Sequence, residues 1–229
     1  MNPKAFSTRT VVFTACIFAV PLLAVSQTPR TSGVYLAAAD YLNGKLEFWG
    51  DCGSKAHKLE VHDVWNKPYV DVKHDSERHR LSKSDLFGFR ACDGRDYRLA
   101  SNLKYEILEA KELYIYAHEF WLNQGRTNRT VREYYFSVGA SGQIQHLTLQ
   151  NLKQAFPENH PFHDWLDATF GTGQDLTAYD EIHKMFKVNR LLIASRNADA
   201  ERICCPEQKN FSLQVARSCC AISQCSTEN

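Results

Sequence analysis

Five cysteines crowd the C-terminal end of this 229-residue chain: Cys204-Cys205, Cys219-Cys220 and Cys225. The two vicinal pairs repeat at one offset, 204 to 219 and 205 to 220. Thiolates gathered this way suit zinc, copper(I) or another soft cation. The spacing matches no standard zinc module, because there is no C-x-x-C and no histidine follows Cys204. Disulfides are therefore the leading reading, with no cofactor, and a soft metal at Cys204, Cys205, Cys219, Cys220 and Cys225 is the alternative. Neighbouring cysteines rarely bridge each other, since Cα atoms about 3.8 Å apart fall below the usual disulfide span. The expected partners are thus Cys204-Cys205 with Cys219-Cys220. Cys52 and Cys92 stand apart, each near the end of an expected strand, and a structural bridge between them is expected.

The histidines form three constellations. His74 and His79 flank a turn with Asp75 and Glu77, a composition able to hold a divalent ion, although a charged turn is usually just solvated. His160, His163, Asp164 and Asp167 surround a helix start, with His163 and Asp167 at i, i+4. Capping and surface pairing explain these more simply. His118-Glu119 sits in H-E-F-W-L, which is not H-E-x-x-H, and a strand would point the two side chains to opposite faces. No G-x-S-x-G, Walker loop, Rossmann fingerprint or haem motif occurs. No catalytic residue is assigned; a hydrolase would need His118, His146 or His183 to meet Asp or Glu in a pocket. Trp49, Trp65, Tyr69, Tyr114, Tyr116, Trp121, Tyr134 and Tyr135 can line a sugar or peptide groove, or simply fill a core.

The N-terminus sets the compartment in which this chemistry would run. Lys4 and Arg9 form a positive region, Val11 to Leu23 an apolar one, and Ala24-Val25-Ser26 a small-residue cleavage site. Residues 1–26 read as a signal peptide, with export to the periplasm, the outer envelope or the medium. Cys16 makes a poor lipoprotein cysteine, because the apolar run continues past it. Loss of Lys4 and Arg9 takes the 27 basic residues to 25, against 26 acidic ones. A near-neutral chain with interspersed signs offers no electrostatic case for nucleic acid. No later stretch is apolar for long enough to span a bilayer. An envelope or extracellular protein, or a glycan, stays open as partner.

The elements that must position these residues begin after a polar lead, 27–44. Over 45–147 a period of two predicts an antiparallel β meander. Its strands are Lys45 to Trp49, His57 to Val61, Tyr69 to Lys73, a short one ending at Leu81, Leu86 to Arg90, Asp96 to Leu99, Tyr105 to Leu108, Leu113 to His118, Glu133 to Val138 and Gln143 to Leu147. Asp93-Gly94 supplies a hairpin turn, with Phe87 and Phe89 expected on one face. Leu113 to His118 is apolar or aromatic on both faces, as a central strand requires.

Over 148–196 the period becomes 3.6. Thr148 caps a helix carrying Leu149, Leu152 and Phe156, which Pro157 stops. A second begins at Pro161, carries Phe162, Trp165, Leu166 and Phe170, and ends with Gly171 in a left-handed conformation. Asp175 caps a third with Leu176, Tyr179, Ile182 and Phe186, and Leu191 to Ala194 continues after a break at Asn189. Residues 197–229 are the cysteine-rich tail. The expectation is an α+β fold of about ten strands, barrel or sandwich, with the C-terminal helices packed on the sheet.

The runs L-S-K-S-D-L-F-G-F-R, D-Y-R-L with Y-E-I-L, L-T-L-Q-N-L-K-Q-A-F-P and V-N-R-L-L resemble a family of exported bacterial proteins of unknown function, over roughly Gly44 to Ser195. The resemblance implies an envelope or secreted setting and no activity. The leading functional expectation is a non-enzymatic binding or structural module. A metal or thiol-redox protein using the tail is the alternative, and an envelope hydrolase the second.

Overall fold

The computed structural model describes residues 30–63, 65–124, 127–171, 173 and 175–204, with no description of the side chains of 123, 124, 127, 128 and 199–204. In chain order the elements are β1 (Thr31–Tyr35), α1 (Ala38–Leu42), β2 (Glu47–Asp51), β3 (Lys58–Glu60), β4 (Tyr69–His74), β5 (Glu77–Ser82), β6 (Gly88–Arg90), β7 (Asp96–Ala100), β8 (Leu103–Ala110), β9 (Leu113–Gln124), β10 (Thr127–Val138), β11 (Gln145–His146), α2 (Leu149–Ala155), α3 (His160–Phe170), β12 (Tyr179–Asp180), β13 (Met185–Phe186) and α4 (Lys187–Cys204).

Eight of the described strands form one antiparallel sheet in the order β11-β10-β9-β8-β7-β6-β1-β2. The first and last of these do not meet, so the sheet is open and no barrel closes. β3-β4-β5 form a second sheet and β12-β13 a hairpin of their own. The fold is α+β, dominated by antiparallel sheet, with more strands than the ten expected. The additional ones are the short β12–β13 pair and β1. That strand lies in the stretch read as a polar lead. Only Val34 and Tyr35 follow its polar start, too few for a period of two to register. Yet Ser32, Gly33, Val34 and Tyr35 are all buried between β2 and β6.

One face of the main sheet is covered twice. Near β9 and β10, Leu113, Ile115 and Phe136 pack against Leu152, Phe162, Leu166, Phe170, Val188 and Leu192 of the helices. Near β1, β6 and β7, Val34, Phe89, Tyr97 and Leu99 pack against Val70 and Val72 of the small sheet. The opposite face carries Tyr105, Tyr114 and Tyr116, over which Tyr41 of α1, Ala140 and Ile144 close. β9 is internal, and Leu113 to Ala117 are buried on both faces, as its composition required.

The Asp93-Gly94 hairpin forms: Gly94 takes a φ of 85°, and Ala91 N–H donates to the Arg95 carbonyl at 2.9 Å. Phe87 and Phe89 do not share a face. Phe89 stacks on Tyr97 among the small-sheet contacts, whereas Phe87 lies against Tyr41. The strand starts only at Gly88, where a Cβ would fall 2.0 Å from the Tyr97 carbonyl oxygen. That close approach is why glycine stands there.

The helical half matches in part. Thr148 Oγ1 accepts from Asn151 N–H at 3.2 Å, and Asn159 Oδ1 accepts from Phe162 N–H at 3.0 Å, capping α2 and α3. Gly171 is right-handed at φ −61° instead of left-handed, and the positive angle falls on Gly173. The third expected helix is the β12–β13 hairpin. Asp180 accepts from the N–H groups of Ile182 and His183, both at 3.0 Å, and Lys184 takes a φ of 52°. An aspartate that satisfies a turn in this way competes with helix formation. α4 runs through Asn189 without a break. The buried Asn189 side chain bonds both the N–H and the carbonyl of Leu113, at 2.8 and 2.9 Å, and pins the helix to β9.

Cys52 and Cys92 are joined by a disulfide with Cα atoms 5.7 Å apart. It ties the segments after β2 and β6, the two neighbours of β1, and encloses the whole β3–β5 sheet in its loop. Cys204 ends α4, and its side chain is not described. Cys205, Cys219, Cys220 and Cys225 lie outside the described residues, as do residues 1–26, read from the sequence as a signal peptide. Among the described residues no helix is long and apolar enough to cross a membrane.

Candidate functional site

The main sheet splits at one end. β8 pairs with β9 from Ala110↔Tyr114 to Glu106↔Ala117 and no further, while β9 stays paired with β10 through Gln124. The first residues of β8 keep only β7 as partner, Lys104 with Leu99 and Leu103 with Ala100. His118 marks the split: its Nδ1 lies 2.9 Å from the Lys104 carbonyl oxygen. A carbonyl can only accept, so Nδ1 carries the proton and, in the neutral ring, Nε2 is left as an acceptor.

Beyond His118 the β9–β10 hairpin overhangs a cleft of about 770 Å³. Its walls come from four places: Asn102, Leu103 and Lys104 at the start of β8; His118, Glu119, Phe120 and Trp121 of β9; Thr130 of β10; and Asp63 and Asn66 from the β3–β4 loop. Ser101 and Asn102 are left-handed, with φ of 49° and 65°, and form the two-residue turn between β7 and β8. Asparagine tolerates that conformation better than most residues. Behind the turn, the buried Lys83 donates to the Asn102 carbonyl at 3.0 Å, and burial pushes its ammonium pKa down. Trp121 is 76% exposed at the cleft, and Trp65, in the loop between Asp63 and Asn66, is 78% exposed. Two large indoles are thus open to solvent, one in the lining and one in the loop beside it.

The charges around the cleft are paired off. Lys104 bonds Asp63, and Arg132 bonds Glu119 at 2.7 Å and Glu106 at 3.1 Å. By register, His118 and Glu119 project to opposite faces, as the sequence required.

The remaining candidates scatter. His74 and His79 flank the turn, 3.5 Å from Asp75 and 4.0 Å from Glu77, but both rings lie beside Phe48. His163 Nε2 bonds the Phe156 carbonyl at 2.8 Å, while Asp167 is taken by Lys153 at 2.6 Å, so the two do not act together. His146 packs on the Tyr135 ring. His183 does meet Asp180, at 3.1 Å, but in an exposed turn where Arg190 also holds the carboxylate. Backbone and His183 hydrogen bonds lower that carboxyl pKa to about 2. Of the aromatic residues, Tyr114 and Tyr116 are core, whereas Trp49, Trp65 and Trp121 are exposed.

Two groupings escaped the sequence reading. Glu60, His62 and Asp71 place one ligand atom each within 4.8 Å of one another. The register explains it, since Glu60 faces Asp71 across β3 and β4. Each carboxylate already has its cation: Lys58 holds Glu60, and Arg80 grips Asp71 at 2.8 and 3.3 Å alongside His62 at 2.8 Å. Ser32 Oγ lies 2.7 Å from His57 Nε2, the distance of a nucleophile and its base. Both residues are buried, and His57 Nδ1 has no hydrogen-bond partner among the described residues. The pair is sealed from substrate and lacks an orienting acid, so it is structural.

Comparison with known proteins gives no relative. No family model, curated protein or solved structure matches this chain. The cleft therefore rests on its own geometry. It combines an exposed indole, two amides, a hydroxyl and an imidazole acceptor around a hollow of the size that takes small ligands.

Proposed function

We propose that this chain is an exported, non-enzymatic binding module that holds its ligand in the cleft beside Trp121. The observation that carries the reading is the open step in the sheet. β9 runs on past the end of its pairing with β8, and the hollow so formed is edged by a solvent-exposed tryptophan. Export is supported by the signal-like N-terminus and by the Cys52–Cys92 disulfide. A binding role is supported by the lining. Its imidazole is engaged with a backbone carbonyl and its carboxylates with cations, which leaves no nucleophile and base in contact among the described lining residues.

The test is co-sedimentation of the mature protein with washed envelope material. The wild type is expected to sediment with it and Trp121→Ala to remain in solution. Chromogenic ester, phosphate, peptide and glycoside substrates are expected to show no turnover. Turnover that is lost in His118→Gln would replace the module with a hydrolase. Sedimentation unchanged in Trp121→Ala would move the site elsewhere.

A further inference from the structure

We propose that the ligand of this cleft is an uncharged oligosaccharide, an inference that rests on the binding-module reading. The first ground is charge. Asp63 pairs with Lys104 and Glu119 with Arg132, so each carboxylate and ammonium of the lining already has a partner. A phosphate or carboxylate ligand would have to break a pair to gain a partner.

The second ground is unused hydrogen-bonding capacity. Neither the Asn66 nor the Asn102 side-chain amide makes a hydrogen bond within the described residues, nor does the Thr130 hydroxyl, and all three residues are exposed in the cleft. The paired carboxylates keep lone pairs to spare, and His118 keeps Nε2. Hydroxyl groups, each both donor and acceptor, match that mixture. A wholly apolar ligand would bury these groups unpaired.

The third ground is Trp121, a flat and exposed indole in the lining. It offers a rigid apolar platform to the C–H face of a pyranose ring while the rim takes the hydroxyls.

An extended peptide added along the free edge of β9 is the competing class. Such a strand would draw on the β9 backbone and leave the side-chain amides of Asn66 and Asn102 unused, which argues against it.

The experiment titrates the mature protein with β-1,4-linked tetramers of glucose and of N-acetylglucosamine, an α-1,4-linked glucose tetramer, an α-1,4-linked galacturonate tetramer and a neutral hexapeptide. The readouts are calorimetry and the Trp121 indole N–H resonance. At least one neutral tetramer is expected to saturate and to shift that resonance. Trp121→Ala should weaken it by roughly ten-fold or more, Trp121→Phe should recover part of the loss, and Trp49→Ala should change nothing. Saturation by none of the neutral sugars, tighter binding of the galacturonate tetramer, or saturation by the hexapeptide alone overturns the assignment. If envelope sedimentation still depends on Trp121 in that case, only the ligand class has failed. If sedimentation is also absent, the module reading has failed with it.

Discussion

Removing the Cys52–Cys92 bridge tests how the β3–β5 sheet is held. The bridge joins residues 40 positions apart, and everything between β2 and β6 that is not in the main sheet lies inside that loop. In the denatured chain, closing a loop of 40 residues removes about 13 cal/mol/K, or about 4 kcal/mol at 25 °C. A domain of this size has a total stability of about 5–15 kcal/mol, so the loss is a large share. In urea, with a slope of about 2 kcal/mol/M, the midpoint of Cys52→Ala/Cys92→Ala should fall by about 2 M. Cys92 is exposed, so a phosphine reductant should reproduce the effect on the wild type. Hydrogen exchange should show amides of β4 losing protection before those of β9. A midpoint that does not move would refute the loop-closure account and mean that the denatured chain keeps this loop closed by other contacts. Equal loss of protection in β4 and β9 would refute the idea that the bridge acts on one unit.

Other consequences follow from single residues. Burial, reinforced by His74 and opposed by the Lys73 backbone, holds the His57 imidazole pKa below its ordinary value. Its neutral form is therefore favoured in the fold, and below about pH 6.5 the unfolded chain takes up a proton that the folded chain does not. Stability should decline as pH falls from there until the depressed folded pKa is passed, and His57→Gln should flatten that part of a melting-temperature profile. Gly88→Ala should destabilise the fold markedly, since the added methyl meets the Tyr97 carbonyl at 2.0 Å; an unchanged thermal melt would count against the pairing of β6 with β7. Leu166→Ala, fully buried between α3 and the sheet, should cost about 2–5 kcal/mol in denaturant unfolding. Protein recovered from the envelope should have the intact mass of a chain starting at Gln27, and one that retains residues 1–26 would contradict export by cleavage.

What the sequence determined by itself is whatever is written locally. Alternation over Tyr69 to Lys73 and Leu113 to His118 marks strands because side chains in a strand alternate faces. Thr148 caps a helix because a side-chain oxygen next to free N–H groups is a local matter. Asp93-Gly94 turns the chain for the same reason. The pairing of Cys52 with Cys92 was also legible, because no other cysteines lie near those strands. The third helix failed although Leu176, Tyr179, Ile182 and Phe186 keep helical spacing. Asp180 satisfies a tight turn there, and Tyr179 pairs with Phe186 across it. The cleft was beyond the sequence altogether. Asp63, Asn102 and Trp121 come from separate segments, and nothing local says that β8 and β9 part after Glu106 and Ala117. Whether a tryptophan in an aromatic strand is core or surface depends on what packs over it. α1 covers Tyr114, and Trp121 lies where β9 has outrun its neighbour.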